Sequence, residues 1–287
     1  MNNTKISSQI MQKIDRLNVS DEAKEVLRRI EKVASSENRI IKASVKDIFV
    51  TCPADAGLKE FAHTYESIIM KNRVYQVKGT RTYLELAFPK YGSEQDYHRF
   101  FQSPKIVASI LNKFVGVFMI SFEQWSSSHE LIKDGRFKQL LKFIEDNKNN
   151  ISFIFHTLPD FENSMQLMRE LEKHINLLEV QLTYPDLREA TEYIASKLKE
   201  SGMNLDSNAN EKFTEFIKEK LNVESKAYKG FLTLDKLFRG IQFELCSKIE
   251  LQGEKTYAIT AADIKDLHSQ IEGTSDEHSY QGKLGFS

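Results

Sequence analysis

The chain has only two cysteines in 287 residues, no excess of charge of either sign and no long apolar run. Each absence removes a class of protein. Cys52 and Cys246 lie far apart and fit neither metal-ligand nor redox-motif spacing. A disulfide scaffold is therefore excluded, and a reducing, cytoplasmic setting is the simplest one. With 40 basic against 41 acidic residues the formal net charge is −1, and Lys and Arg are scattered along the chain. This leaves no electrostatic case for nucleic acid or for an anionic membrane surface. The best apolar run, Val115 to Ile120, is far too short to span a bilayer, and the N-terminus MNNTKISSQIMQKI lacks the apolar core of a signal peptide. His63, His129 and His156 are separated by unrelated sequence with no cysteine or carboxylate at ligand spacing, so no metal site is expected. No G-x-S-x-G and no Cys/His pairing points to a catalytic nucleophile.

What is present is ordinary for a soluble globular protein: 40% hydrophobic and 28% charged residues in 33.2 kDa, enough for one large domain or two smaller ones. Ile10, Ile14 and Leu17, then Ala23, Val26, Leu27 and Ile30, recur at helical spacing, and Ser20 is placed to cap the second run. Val45–Thr51 reads as a strand and Ala56–Lys71 as a helix. Arg73–Val77 and Thr82–Phe88 read as two β-rich segments around the turn-like KGTR, and a helical stretch broken at Pro104 follows. Val115–Phe122 and Ile151–Thr157 are nearly continuous apolar runs, as expected of strands covered on both faces. Helical patterns at Leu131–Asn147 and Phe161–Ile175 alternate with them, and Leu178–Leu182 is a further short strand. Alternation of this kind predicts a parallel α/β sheet. From Pro185 onward the pattern is helical, ending in a short YAI and a last helix capped by Thr260 with Asp263 three residues on. The predicted division is N-terminal helices over 1–40, an α/β domain over 41–183, a small all-helical domain over 184–272 and a polar tail over 273–287.

Three stretches carry a family resemblance: IFVTCPADAGLKEFA, GVFMISFEQW and ISFIFHTLPDFENSMQLMREL, joined by a C-terminal YAITAADIKDL. In their order and spacing the chain resembles the AAA+ ATPases, and these stretches resemble the CbxX/CfxQ-like branch that includes the rubisco-activase type. The resemblance covers most of the chain. It implies a P-loop NTPase-like domain, its parallel sheet between helical layers, followed by a helical lid.

The residues that would do the chemistry differ from the family pattern. A phosphate loop needs G-x-x-x-x-G-K-[ST]. Aligned on the strand end, those positions hold Cys52, Gly57, Leu58 and Lys59, so only Gly57 is kept. Lys59 comes one residue late, and one helical step turns a side chain by about 100°. The Asp-Glu that would hold Mg²⁺ and polarise water is replaced by Ser121 and Phe122. Glu123 matches the missing Asp in strand parity but not the missing Glu. The arginine-finger segment reads LEKHINLLEV, leaving Arg169 as the nearest arginine. The sensor-2 position falls at Leu232 and Thr233, with Arg239 further on. Asp55 is placed to cap a helix starting near Ala56, its carboxylate taking the amides a phosphate would meet. Tyr91 and Gly92, in FPKYGSEQDY, occupy the place of the family's aromatic pore loop. Trp125 is expected to pack over the sheet edge, and His156 to serve as a hydrogen-bonding group.

An arginine finger alone contributes about 10³–10⁵ in rate, so loss of the lysine, the metal ligands and the arginines together predicts no turnover. The expectation is a catalytically inactive AAA+-like module with no catalytic residues. Cys52, Asp55, Gly57, Leu58, Lys59, Ser121 and Glu123 mark the degenerate nucleotide site. No cofactor is expected, with weak ATP or ADP binding as the alternative. Its partners are expected to be proteins, either active AAA+ subunits or further copies of itself. Two other readings stay open. One is an ATPase using Lys59, Glu123 and Arg169 in displaced roles. The other is a clamp-loader-like DNA replication subunit, against which stand the lack of a third helical collar and of a basic stripe.

Overall fold

The computed structural model describes residues 2–54, 56–75, 80–90, 114–225, 227–252 and 257–271, with no account of the side chains of 2–6, 80–82, 114 and 247–252. Two compact units divide at residue 183. In the first, α1 (Asn2–Asp15) and α2 (Asp21–Ala34) precede the short α3 (Arg39–Lys42). The α1–α2 turn ends at Ser20, whose hydroxyl accepts the Ala23 amide and satisfies one of the free N–H groups of the helix start. Then come β1 (Asp47–Thr51), α4 (Leu58–Lys71), β2 (Thr80–Ala87), β3 (Phe114–Ser121), α5 (Ser128–Lys133), α6 (Gly135–Asn147), β4 (Ile151–Thr157), α7 (Ser164–Glu172) and β5 (Leu177–Gln181).

The strands form one parallel sheet in the order β2-β3-β4-β1-β5. One face carries Phe118, Ile120, Phe153 and Phe155, packed against Phe137, Leu140 and Ile144 of α6 and Leu167 and Leu171 of α7. α4 contacts β2 and β3, and α1 and α2 lie against α4. This two-sided cover explains why all seven residues of β4 are buried and why the strand shows no polar alternation. Trp125 is buried in the same core, its indole N–H donating to the Phe88 carbonyl at 2.9 Å.

The β-rich reading of Arg73–Val77 needs correction. Arg73 takes a left-handed conformation with φ of 52° directly after α4, and Arg73–Tyr75 are not in a strand; residues 76–79 lie outside the described set. The helical stretch around Pro104, Tyr91 and Gly92 also lie outside it, as does the tail over 273–287.

The second unit begins at Tyr184. It holds α8 (Leu187–Glu200), β6 (Met203–Leu205), a 3-10 turn at Ser207–Ala209, α9 (Asn210–Lys220), α10 (Phe231–Gln252), β7 (Tyr257–Ile259) and α11 (Ala261–Gln270). β6 and β7 pair in parallel, so the unit expected to be all-helical carries a small two-stranded sheet, because Met203–Leu205 and Tyr257–Ile259 exchange backbone hydrogen bonds. Thr260 and Asp263 form a reciprocal capping box, and the buried Asp263 also accepts the Tyr257 hydroxyl at 2.8 Å. No helix among the described residues is long and apolar enough to cross a membrane.

Candidate functional site

The sheet order fixes where a ligand would bind. From β1 the chain leaves for the β2 edge, returns through β3 to β4, and then crosses to β5 on the other side of β1. The crevice at the carboxyl ends of β1 and β4, where the winding reverses, is the general binding position of open α/β sheets. Thr51 and Cys52 at β1 and His156 and Thr157 at β4 stand at these strand ends, with Ser121 at the end of the neighbouring β3.

They are tied to one another. His156 Nδ1 lies 3.0 Å from Ser121 Oγ, and Nε2 lies 3.1 Å from the Cys52 carbonyl oxygen. A neutral ring meets both contacts when Nε2–H donates to the carbonyl and Nδ1 accepts the serine hydroxyl. Burial pushes the His156 pKa below its ordinary value, opposed by the Cys52 carbonyl and by the charges of Glu123 and Glu85. The Thr51 and Thr157 hydroxyls sit 3.3 Å apart, and the Cys52 amide donates to the Thr157 carbonyl. β1, β3 and β4 are therefore cross-linked by hydrogen bonds at the level where a phosphate loop and its metal ligands would lie.

The strand-end cysteine is turned inward. Cys52 is fully buried, and its thiol donates to the Pro53 carbonyl at 3.1 Å. Burial pushes the thiol pKa up to about 12, opposed by the backbone amides of Leu58 and Ala56. Gly57, at the cap position of α4, has φ of 83°, and the α1–α2 turn lies directly on it. A Cβ built there would meet the Asn18 carbonyl oxygen at 2.3 Å and Val19 Cγ1 at 2.7 Å.

This geometry corrects the expected helix start. α4 begins at Leu58 rather than near Ala56, because Gly57 takes the left-handed turn that sets the first helical residue; Asp55 lies outside the described residues. Lys59, Glu123 and Arg169 are all exposed, and Leu58 is half-buried. No group of three or more His, Cys, Asp or Glu among the described residues could hold a metal ion. In the second unit Thr233 is buried and its hydroxyl accepts the Lys229 amide, while Leu232 and Arg239 are exposed. The full burial of Cys52 was missed from the sequence, although a small apolar residue set between a buried strand and Pro53 is the pattern of a side chain turned inward.

No protein-family model matches the chain, and no curated protein matches it. Its fold is similar to solved structures of RuvB from Thermotoga maritima. One point variant of that protein is 13% identical with a TM-score of 0.51, the match covering 88% of this chain and 70% of that one. Another is 11% identical with a TM-score of 0.51, covering 89% and 71%. The likeness, together with the sheet order, defines the fold as an α/β P-loop domain of the AAA+ type with a helical C-terminal region.

Proposed function

We propose that this chain is a non-hydrolysing AAA+-like module that acts through protein–protein contacts, in or beside an AAA+ assembly. The observation that carries this reading is the closed network at the strand ends, where His156 bridges Ser121 and the Cys52 carbonyl and Cys52 itself is fully buried. Leu58, half-buried, stands at the motif-lysine position, so that position offers a phosphate no cation. Ser121, at the metal-ligand position of the second motif, is committed to His156. Placement in the CbxX/CfxQ-like branch rests on the three sequence stretches alone. The exposed positions of Lys59, Glu123 and Arg169 favour solvated surface roles over the displaced catalytic roles.

Phosphate release from Mg-ATP tests the catalytic half. The chain and a triple variant, Lys59→Ala with Glu123→Gln and Arg169→Ala, are expected to give the same background rate. Release by the unaltered chain that falls by a factor of ten or more, about 1.4 kcal/mol in barrier, in the triple variant would assign those residues to a working site.

A further inference from the structure

The longest helix of the second unit, α10, has 22 residues and buries one face through Leu234, Leu237, Ile241 and Leu245. Its opposite face is exposed at Leu232, Lys236, Arg239, Phe243 and Cys246. These positions are separated by four, three, four and three residues, which lines them up along one side of a helix. Phe243 is 75% exposed and Leu232 48% exposed, which sets them apart from the buried apolar residues of this unit. Lys236 and Arg239 lie between them, with no ion pair for either among the described residues. The neighbouring acid Asp235 is turned away to accept the Tyr193 hydroxyl at 2.6 Å. On one flank Gly240 lies against the end of α11, its would-be Cβ 3.9 Å from Ile271 Cδ1. On the other, Gln242 donates to Ser201. The stripe is thus apolar at two points about 16 Å apart and uniformly basic between them.

We infer that this stripe of α10 docks a partner helix with apolar side chains at matching spacing and Asp or Glu between them. The inference extends the protein–protein reading and rests on it. Charge complementarity selects the partner: a second copy of α10 laid antiparallel would set Lys236 and Arg239 against the same cations, and like charges facing each other oppose association. Leu232 and Phe243 supply the apolar anchors, since a few large side chains dominate most interfaces, and the two cations set register and partner choice.

The test uses the full chain and two fluorescein-labelled synthetic helices. One has two leucines at the α10 spacing with glutamates between them; in the other lysines replace the glutamates. The chain is expected to bind the glutamate helix saturably and at least tenfold more tightly than the lysine helix. That affinity should fall severalfold between about 0.05 M and about 0.3 M salt as the charges are screened. Phe243→Ser should weaken binding about tenfold with an unchanged unfolding midpoint. Lys236→Glu with Arg239→Glu should reverse the preference between the two helices. Equal binding of both helices, or no loss in Phe243→Ser, overturns the inference. So does concentration-dependent self-association that the same variants abolish, because the occupant is then a second copy. Binding seen only after removal of residues 272–287 also overturns it, because the chain's own C-terminus then holds the stripe. Nucleotide binding at the loop would not alter these readouts, so failure of the docking site and failure of the inert-site reading are separately visible.

Discussion

Gly57→Ala is expected to lower the unfolding midpoint by roughly 5–15 °C, a large effect for one added methyl group. Two costs combine. A left-handed backbone costs a non-glycine residue about 1–2 kcal/mol. The new Cβ would also meet the Asn18 carbonyl at 2.3 Å, and that atom is backbone, which cannot rotate aside. Forced overpacking of this kind costs about 1–3 kcal/mol, and each kcal/mol shifts the midpoint of a domain this size by about 2–4 °C. Gly135→Ala is the control, because nothing lies within 4 Å of a Cβ built there. It is expected to leave the midpoint within about 2 °C, as surface changes away from special features do. A Gly57→Ala variant as stable as the unaltered chain would mean that the α1–α2 turn does not press on the loop.

The second large effect is pH-dependent and lies at the opposite end of the sheet. Asp47 opens β1, and its carboxyl accepts the Phe153 amide of β4 at 2.6 Å. Tyr65 and Tyr75 surround it, their hydroxyls held by the Lys46 carbonyl and by Ser152. Burial pushes the Asp47 pKa up to about 7, against the pull of the Phe153 amide and its own amide. A carboxyl raised in the folded state binds more protons folded than unfolded. Its contribution is therefore fully present below the unfolded value near 4 and is lost as pH rises through about 7. Asp47→Asn keeps an acceptor for Phe153 without the charge. Denaturant titrations should show the two proteins equally stable near pH 4 and the variant more stable by a few kcal/mol near pH 8.5. Parallel pH profiles for the two would show that Asp47 ionises as freely in the fold as outside it.

How much of this was legible in the sequence depended on the range of the interaction. The continuous apolar runs of β3 and β4, the Ser20 cap and the Thr260–Asp263 pair are local patterns, and the structure carries each of them. The left-handed Arg73 that interrupts the expected strand was hidden, because nothing in its residue type requires that conformation. The candidate site was legible as a set of missing residues but not as a set of contacts. Sequence alignment placed Cys52, Gly57 and Ser121 at motif positions. It could not show that residues 104 apart bring His156 onto the Cys52 carbonyl, or that the α1–α2 turn falls on Gly57. Asp55 was expected to meet the loop amides because helix caps favour acidic side chains. Asp55 lies outside the described residues, and the strand-end side chain that the fold buries is Cys52.

The central claim is that the loop at Cys52–Leu58 does not hold a polyphosphate, and equilibrium nucleotide binding tests it most directly. Mg-ATP and Mg-ADP are titrated to millimolar concentration while heat and the unfolding midpoint are followed. A ligand at about 100 times its dissociation constant adds about 2.7 kcal/mol to stability, several degrees in midpoint. No saturable heat and no movement of the midpoint is the expected result. Saturable stabilisation by either nucleotide, abolished by a substitution in the loop that leaves the fold intact, would contradict it.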